Sequence, residues 1–184
     1  MRHEIRIEFS NPDTPDTIIE ELMKIEQDVY LPEYRGEYQS IKNRFYKYKE
    51  MFVLVYDGEE IIGYLCFFPV SKSLHDSIVK ECQFHDDDIL PEDIVAMDRH
   101  SHIFLMSIAI YRSYQGMGIG KLLMDAFFNR LKLEKAKGHY VEDIIASVVS
   151  PRGELLARRY GFSMVNDLSE IQHHKLFYYD GGML

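Results

Sequence analysis

Residues 103–124 constrain this chain most, because they predict a strand, a glycine-rich turn and a helix in direct succession. The run from Ile103 to Ile110 is apolar, rich in β-branched residues and bounded by polar ones, which is typical of a buried strand. The helix that follows repeats apolar residues every four positions. Between the two, glycines stand at alternate positions: Gly116, Gly118 and Gly120. Since a helix N-terminus offers free N–H groups and a positive dipole end, the stretch predicts an anion-binding site.

Two common phosphate loops do not fit these glycines. A dinucleotide-binding turn needs G-x-G-x-x-G and an acidic residue about twenty positions later, whereas this chain has G-x-G-x-G and Ala136. A Walker loop ends in G-K-[ST], whereas Gly120-Lys121 is followed by Leu122. What fits is the pattern Q/R-x-x-G-x-G/A after a strand that ends Ile-Ala-Ile.

That pattern resembles the acetyl-CoA loop of the GCN5-related N-acetyltransferase (GNAT) superfamily. The alternative is a glycine-rich turn that binds no ligand. The resemblance implies that the pantetheine arm pairs with the backbone where strand 103–110 splays from a parallel strand, 141–149, and that Ser150 takes the place of a family asparagine. It assigns these residues to acetyl-CoA: Ile108, Ala109, Ile110, Gln115, Gly116, Met117, Gly118, Ile119, Gly120, Lys121 and Ser150.

The order of predicted elements is also similar to that family. The patterns predict a strand, two helices (18–30 and 40–49), a hairpin across Asp57-Gly58, and then alternating strands and helices. A helix with Ser150 as N-cap, Pro151 in its first turn and an apolar face of Leu155 and Leu156 follows. We expect one α/β (α+β) domain over 1–184. Its mixed, mostly antiparallel sheet of about seven strands has helices on both sides and splits between strands 4 and 5.

Composition limits the partners of this domain. The chain has 184 residues, 46% of them hydrophobic, and a net charge of −9, which argues against a nucleic-acid partner. Segment 71–100 reads as an acidic insertion between strands 3 and 4. No apolar run reaches the length of a membrane span, and the two cysteines form no C-x-x-C pair, so we expect a reducing cytoplasm. Coenzyme A is itself anionic, so nearby cations must offset the charge; the candidates are Arg112, Lys121, Arg152, Arg158 and Arg159.

The resemblance implies direct attack of an amine on the acetyl thioester, for which a base would help. Strand 103–110 offers no carboxylate, so the candidate bases are His102 and, in the segment that walls the acceptor pocket, Glu33, with Glu37 beside it. For each of these residues, the alternative is a solvent-exposed side chain without a catalytic role. The family tyrosine that protonates the departing thiolate is replaced by Ala157, and Tyr160 is the nearest substitute.

Two histidine pairs raise the question of a metal. His100 and His102 form one pair, and His173 and His174 form the other. Zinc needs three or four ligands, but no spacing connects the pairs, so we predict no metal.

The sequence therefore predicts an acetyl-CoA-dependent N-acetyltransferase acting on a small primary amine. The acidic charge favours a cationic amine. A protein or peptide amine as acceptor and a non-catalytic acetyl-CoA-binding module are the alternatives, and a homodimer stays open.

Overall fold

The computed structural model describes residues 4–81, 87, 89–167 and 174–184, and of residues 81, 166 and 167 only the backbone. The strands are β1 Ile5–Phe9, β2 Phe52–Asp57, β3 Glu60–Val70, β4 Ser101–Ile110, β5 Val141–Val148, β6 Ser163–Asp167 and β7 Lys175–Asp180. The helices are α1 Ile18–Val29, α2 Tyr38–Lys47, α3 Lys72–Asp76, α4 Ile119–Ala136 and α5 Pro151–Arg159. Among the described residues, no helix is both long enough and apolar enough to cross a membrane.

The seven strands form one sheet in the order β1-β2-β3-β4-β5-β7-β6. Neighbouring strands are antiparallel except β4 and β5, which run parallel. The predicted mixed, mostly antiparallel α/β fold is confirmed.

The parallel pair is joined over only half of β4. Pairing with β5 runs from Ser101 to Leu105, while β4 itself continues to Ile110. The partner of Cys66 on β3 is Ser107 and that of Phe67 is Leu105, so Met106 is an extra residue, a β-bulge. A bulge bends its strand and increases the local twist. The bend therefore separates the second half of β4 from β5, and this separation is the predicted split.

Helices cover both faces of the sheet because their apolar residues recur at helical spacing. On one face, α1 buries Ile19, Leu22 and Ile25. On the other, α4 buries Leu123 and Phe127. A buried aliphatic or aromatic side chain of this kind contributes about 1.5–3 kcal/mol. The sheet is thus held rigidly from both sides around the split.

Local predictions hold for α5 with one exception. Ser150 is its N-cap, since its Oγ accepts a hydrogen bond of 3.0 Å from the N–H of Gly153, and Pro151 is the first helical residue. The apolar face was wrong in part, because Leu155 is 72% exposed. The face toward the sheet consists instead of Leu156 and the buried Ala157.

The insertion over 71–100 begins with a capped helix. Ser71 caps α3, whose chain continues into a π-helical turn at Ser77–Glu81. Near its end, Ile94 forms a β-bridge with Val70 and so returns the chain to the sheet. Cys82 and most of the acidic run lie outside the described residues. The other cysteine, Cys66, is a buried free thiol.

Candidate active site

A cleft of about 1520 Å³ lies where β4 and β5 separate. Its walls are the free half of β4 from Leu105, the end of β5 from Ala146, the glycine loop, the start of α5 and the segment after α1. Of the residues predicted to bind acetyl-CoA, all line this cleft except Met117. The side chain of Met117 is 49% exposed.

The three glycines of the loop serve two different purposes. Gly116 and Gly118 have φ angles of 85° and 83°, a left-handed conformation that favours glycine. A Cβ at either position would meet no described atom within 4 Å, so the loop backbone borders open space. A Cβ on Gly120 would lie 3.3 Å from Leu156 Cδ2, so this glycine lets α4 approach α5. Since Gly118 is the N-cap of α4, backbone amides and the helix dipole are exposed to the cleft.

Gln115 fixes the entrance to this loop. Its Nε2 donates to the carbonyl of Ile110 at 2.9 Å, and Arg152 Nη1 donates to its Oε1. Lys121 and Arg159 also line the cleft. The other two predicted cations are turned elsewhere, because Arg112 Nε donates to the carbonyl of Asp28 and Arg158 pairs with Glu154. Three of the five predicted cations therefore line the cleft, Lys121, Arg152 and Arg159, although Lys121 Nζ also pairs with Asp125 Oδ2 at 2.5 Å.

The free half of β4 directs backbone groups into the cleft. The N–H of Tyr111 donates to the carbonyl of Ile62 on β3. Since successive residues of a strand point their backbone groups to opposite sides, Ala109 and Ser107 also face β3. Ile108 and Ile110 therefore face the split, which fits the carbonyl contacts that Tyr30 makes with Ile108 and Gln115 with Ile110. An extended ligand arm can pair there as an added strand would.

A chain of hydroxyl groups runs from the split to a buried carboxylate. Ser107 Oγ lies 3.2 Å from the hydroxyl of Tyr30 and 3.3 Å from that of Tyr64. Tyr64 donates to Glu26 Oε1 at 2.5 Å, and Tyr30 donates to the carbonyl of Ile108 at 2.8 Å. Hydrogen-bond distances thus connect Ser107 to Tyr64 and Tyr64 to Glu26. All three residues line the cleft.

Burial controls the charge of Glu26, whose exposed fraction is 7%. Desolvation raises the pKa of its carboxyl group above the ordinary value. The hydrogen bonds from Tyr64 and from the N–H of Gly36 oppose that rise, as does the charge of the buried Arg44. A carboxylate with a raised pKa is a stronger base, so Glu26 is suited to accept a proton.

The insertion contacts the wall of the cleft at the end beyond Tyr30. Asp87 Oδ1 accepts a hydrogen bond of 3.2 Å from the N–H of Glu37, and Arg44 Nη1 donates to the carbonyl of Ile89 at 3.4 Å. Glu33 stands exposed on the rim of this end. Arg35 lies beside it, but its guanidinium donates to the carbonyls of Tyr30 and Gln27. The rim therefore presents a carboxylate to an entering molecule.

The structure separates the proposed catalytic residues. Glu33 lines the cleft, whereas His102 lies at the other end of β4 and does not. Tyr160 donates to the carbonyl of Lys121 at 3.0 Å and to Asp125 Oδ1 at 2.6 Å. Burial and that carboxylate raise the pKa of Tyr160 strongly. Ala157 lines the cleft at the position of the missing tyrosine.

His174 lines the cleft, whereas His102 lies at the far end of β4 and His100 directly precedes that strand, so neither of these two lines the cleft with it. His173 lies outside the described residues. That acetyl transfer here needs no metal stays a prediction.

Glu26, Tyr64 and Ser107 are candidate functional residues that the sequence analysis missed, and a sequence signal exists for Glu26. The signal lies in α1, where positions four apart read Ile18, Leu22, Glu26 and Tyr30. The first two define the buried stripe of the helix, so the third places a carboxylate on that stripe. A charged residue on an apolar stripe is rarely buried without a specific partner.

Comparisons with known proteins agree with this geometry. The sequence model of the Acetyltransferase (GNAT) family matches residues 17–148. No curated protein matches the chain. Among solved structures, the loading GNATL domain of CurA from Lyngbya majuscula is similar at 15% identity and a TM-score of 0.72, with 98% of this chain and 100% of that chain covered.

Two further structures share the fold. Mosquito arylalkylamine N-acetyltransferase like 5b has 14% identity and a TM-score of 0.64, covering 96% of this chain and 100% of its own. Arabidopsis thaliana Naa50, solved with the bisubstrate analogue CoA-Ac-MVNAL, has 12% identity and a TM-score of 0.60, covering 96% and 98%.

Proposed function

This chain belongs to the GNAT acetyltransferase family, and from that membership we propose that it moves the acetyl group of acetyl-CoA directly to a small, cationic primary amine. The observation that carries the proposal is the hydroxyl chain from Ser107 through Tyr64 to Glu26, which opens on the free half of β4. Both parts of an acyl transfer, a place for the thioester and a route for the proton, meet at that point.

Acetyl-CoA occupies the cleft with its pyrophosphate on the glycine loop. The amides at the N-terminus of α4 face the phosphates, and Lys121, Arg152 and Arg159 supply positive charge. The pantetheine arm pairs with the backbone groups of Ile108 and Ile110. An N–H from this stretch also polarises the thioester carbonyl and stabilises the oxyanion that forms on attack.

The acceptor amine must lose a proton before it attacks. A free alkylamine has a pKa of about 10.4, so only about one molecule in a few thousand is neutral at pH 7. The ammonium gives its proton to Ser107 Oγ, Ser107 passes its own to Tyr64, and Tyr64 passes its own to Glu26. The neutral nitrogen attacks the acetyl carbon, and the carbonyl electrons move to oxygen to give a tetrahedral intermediate. The nitrogen loses a second proton to solvent, and the C–S bond breaks as the intermediate collapses to the amide and the thiolate of coenzyme A.

The contacts at the end of the cleft beyond Tyr30 support a small acceptor. The hydrogen bonds from Glu37 to Asp87 and from Arg44 to Ile89 join the insertion to α2 beside the cleft, and we expect them to leave less room for an extended peptide. The carboxylate of Glu33 on the rim supports a cationic acceptor, because it attracts an ammonium group. Among the described residues, no cationic side chain forms an ion pair with it.

An amine screen tests this proposal. Purified protein is mixed with acetyl-CoA and small cationic amines, small anionic amines such as glutamate, or short peptides with a free N-terminus, and released thiol is measured. We expect the small cationic amines to react fastest, with kcat/KM falling as salt rises because screening shortens the reach of the field. In Glu33→Gln the KM for such amines should rise while kcat changes little.

Other results would point elsewhere. A clear preference for peptides would assign the chain to protein amine acetylation, and a preference for glutamate would overturn the cationic acceptor. If acetyl-CoA binds but no amine causes release of free thiol, the chain is a non-catalytic binding module.

A further inference from the structure

A second cluster of polar side chains lies outside the cleft, at the closed end of the parallel strand pair. His102 of β4 and Asp143 of β5 are partners in register, and their side chains share the face of Phe104 and Ile145. His75 of α3 covers them from the insertion, with its ring stacked on that of His102 at 3.9 Å. All three side chains are at least 85% buried, with exposed fractions of 10%, 15% and 7% for His75, His102 and Asp143.

The contacts of His75 define which nitrogen faces the carboxylate. Its Nδ1 lies 3.2 Å from Asp76 Oδ1, and Lys72 and Lys80 hold that carboxylate at 2.9 and 3.1 Å. Asp76 therefore stays ionised and accepts the Nδ1 hydrogen. The Nε2 of His75 then carries the lone pair in the neutral ring, and it lies 3.1 Å from Asp143 Oδ2.

That approach is an ion-pair distance without an aligned hydrogen bond, because the buried Nε2 of His75 has no aligned partner among the described residues. A neutral ring would turn its lone pair toward the carboxylate oxygen, which is unfavourable, so this point requires a positive charge: either a second proton on the ring or a metal ion bound between the two atoms. His102 Nδ1 lies 3.0 Å from the other oxygen of the same carboxylate. Three donor atoms of this cluster thus converge, all within 4.8 Å of one another.

We propose that His75, His102 and Asp143 form a binding site for a divalent transition metal ion, Zn²⁺ in particular. Two imidazole nitrogens and one carboxylate oxygen are a donor set that zinc takes, with a fourth position left for water. Tetrahedral donors about 2.1 Å from zinc lie about 3.4 Å apart, close to the 3.1 and 3.0 Å that separate the nitrogens of His75 and His102 from the oxygens of Asp143. Asp76 holds the outer nitrogen of His75, as carboxylates do for the histidine ligands of metals.

The ion would fasten the insertion to the sheet. Its ligands come from α3 in the insertion and from β4 and β5. His102 lies three residues from Leu105, where the cleft begins, or about 10 Å along the strand. The site is therefore structural, and it does not take part in acetyl transfer.

Metal titration of untagged full-length protein tests the site. The protein is freed of metal with a chelator and titrated with ZnSO₄ in a calorimeter, with melting temperature as a second readout. A parallel titration with CoCl₂ reports the ligand geometry through its visible absorption. We expect one ion per chain, a higher melting temperature with zinc, and the strong absorption bands of tetrahedral Co²⁺.

Matched variants separate this site from surface binding. His75→Gln and Asp143→Asn should each weaken zinc binding by at least about a hundredfold, the loss of one of three ligands. His100→Gln is the control, because His100 is exposed and contacts Glu142 instead, at 2.5 Å. Its affinity for zinc should stay within about threefold.

Three outcomes would overturn the site: no stoichiometric zinc binding to the wild type, a Co²⁺ spectrum without tetrahedral bands, or equal weakening by His100→Gln. Because the spectrum is recorded on the wild type, an unfolded variant does not affect that arm of the test.

Discussion

The two halves of β4 differ although they belong to one strand. Residues 101–105 pair with β5 and bury polar groups against each other, as His102 and Asp143 do. Residues 106–110 have no strand partner on the β5 side in the part of the chain that the structure describes, and they line a cleft. The first half therefore contributes to stability, and the second half leaves its hydrogen-bonding capacity to a ligand.

One residue causes this difference. With Met106 as the bulge, both Met106 and Ser107 lie on the α1 face of the sheet, while Leu105 and Ile108 lie on the α4 face. The bulge thus separates β4 from β5 and also brings the Ser107 hydroxyl to Tyr30 and Tyr64. Changes in the open half should consequently lower activity, whereas changes in the closed half should lower stability.

The largest expected effect is on the proton route of the open half. Glu26→Gln removes the base at its end, so kcat should fall at least about a hundredfold, while calorimetry should find unchanged acetyl-CoA affinity. In the wild type, kcat/KM should rise with pH as Glu26 ionises. This rise should occur at a pH above the usual pKa range of glutamate, because burial raises the pKa of Glu26. The variant should lack that rise, and a normal kcat in the variant would exclude Glu26 as the base.

The raised pKa of Glu26 also makes the stability of the fold depend on pH, and stability falls with rising pH whereas activity rises. Because the pKa of Glu26 is higher in the folded chain than in the unfolded chain, folding is favoured by protonation. Its contribution to stability is complete below the unfolded pKa and is lost as pH rises through the folded pKa. Denaturant unfolding should show a smaller loss of stability over that window in Glu26→Gln.

Deleting Met106 should abolish the difference between the two halves. The alternation of faces survives the deletion, because Leu105 and Ser107 already face opposite sides, so we expect the protein to fold. Without the bend, β4 can continue to pair with β5 and its amides are no longer available to the pantetheine arm. Losing two hydrogen bonds of about 1 kcal/mol each would weaken acetyl-CoA binding about thirtyfold.

Calorimetry measures this change, and denaturant unfolding checks that the shortened chain is at least as stable. Met106→Ala is the control, since it removes the side chain and keeps the bulge. Unchanged affinity in a folded deletion variant would show that the bulge does not make the split.

Local patterns in the sequence were sufficient for most of the fold and for the glycine loop. The caps at Ser150 and Gly118, the hairpin at Gly58 and the apolar stripes all depend on residues close in sequence. The bulge depends on how β3 and β4 pair, which no local pattern records. The carboxylate at Glu26 and the cluster of His75, His102 and Asp143 likewise depend on contacts between residues far apart in sequence, 38 positions for Glu26 and Tyr64 and 27 for His75 and His102.

A smaller effect is expected at the glycine loop. Gly118→Asp places a carboxylate in the open space where we expect the pyrophosphate, and acetyl-CoA affinity should fall at least about tenfold, or about 1.4 kcal/mol. Gly58→Asp is a matched control, because Gly58 also has a positive φ, 61°, and also meets no described atom within 4 Å of a Cβ. The control should retain its affinity for acetyl-CoA. Equal affinity of the two variants in calorimetry would show that the pyrophosphate does not bind at this loop.

The smallest expected effect on activity is at Tyr160, which does not belong to the residues that line the cleft. Its hydroxyl is held by the carbonyl of Lys121 and the carboxylate of Asp125, and its ring stacks on Phe128 at 5.5 Å. Its raised pKa also favours retention of the proton. A thiol has a pKa of about 8.5, so the thiolate of coenzyme A can leave without an acid.

Tyr160→Phe should therefore leave kcat within about threefold, well short of the hundredfold typical of a lost general acid. The lost hydrogen bond to a charged group should instead lower the free energy of unfolding by about 1 kcal/mol, since the site is only partly buried. Initial rates at saturating acetyl-CoA and denaturant unfolding measure the two effects on one preparation. A hundredfold loss of kcat in a stable variant that still binds acetyl-CoA would make Tyr160 the acid and move the catalytic contacts from β4 toward α5.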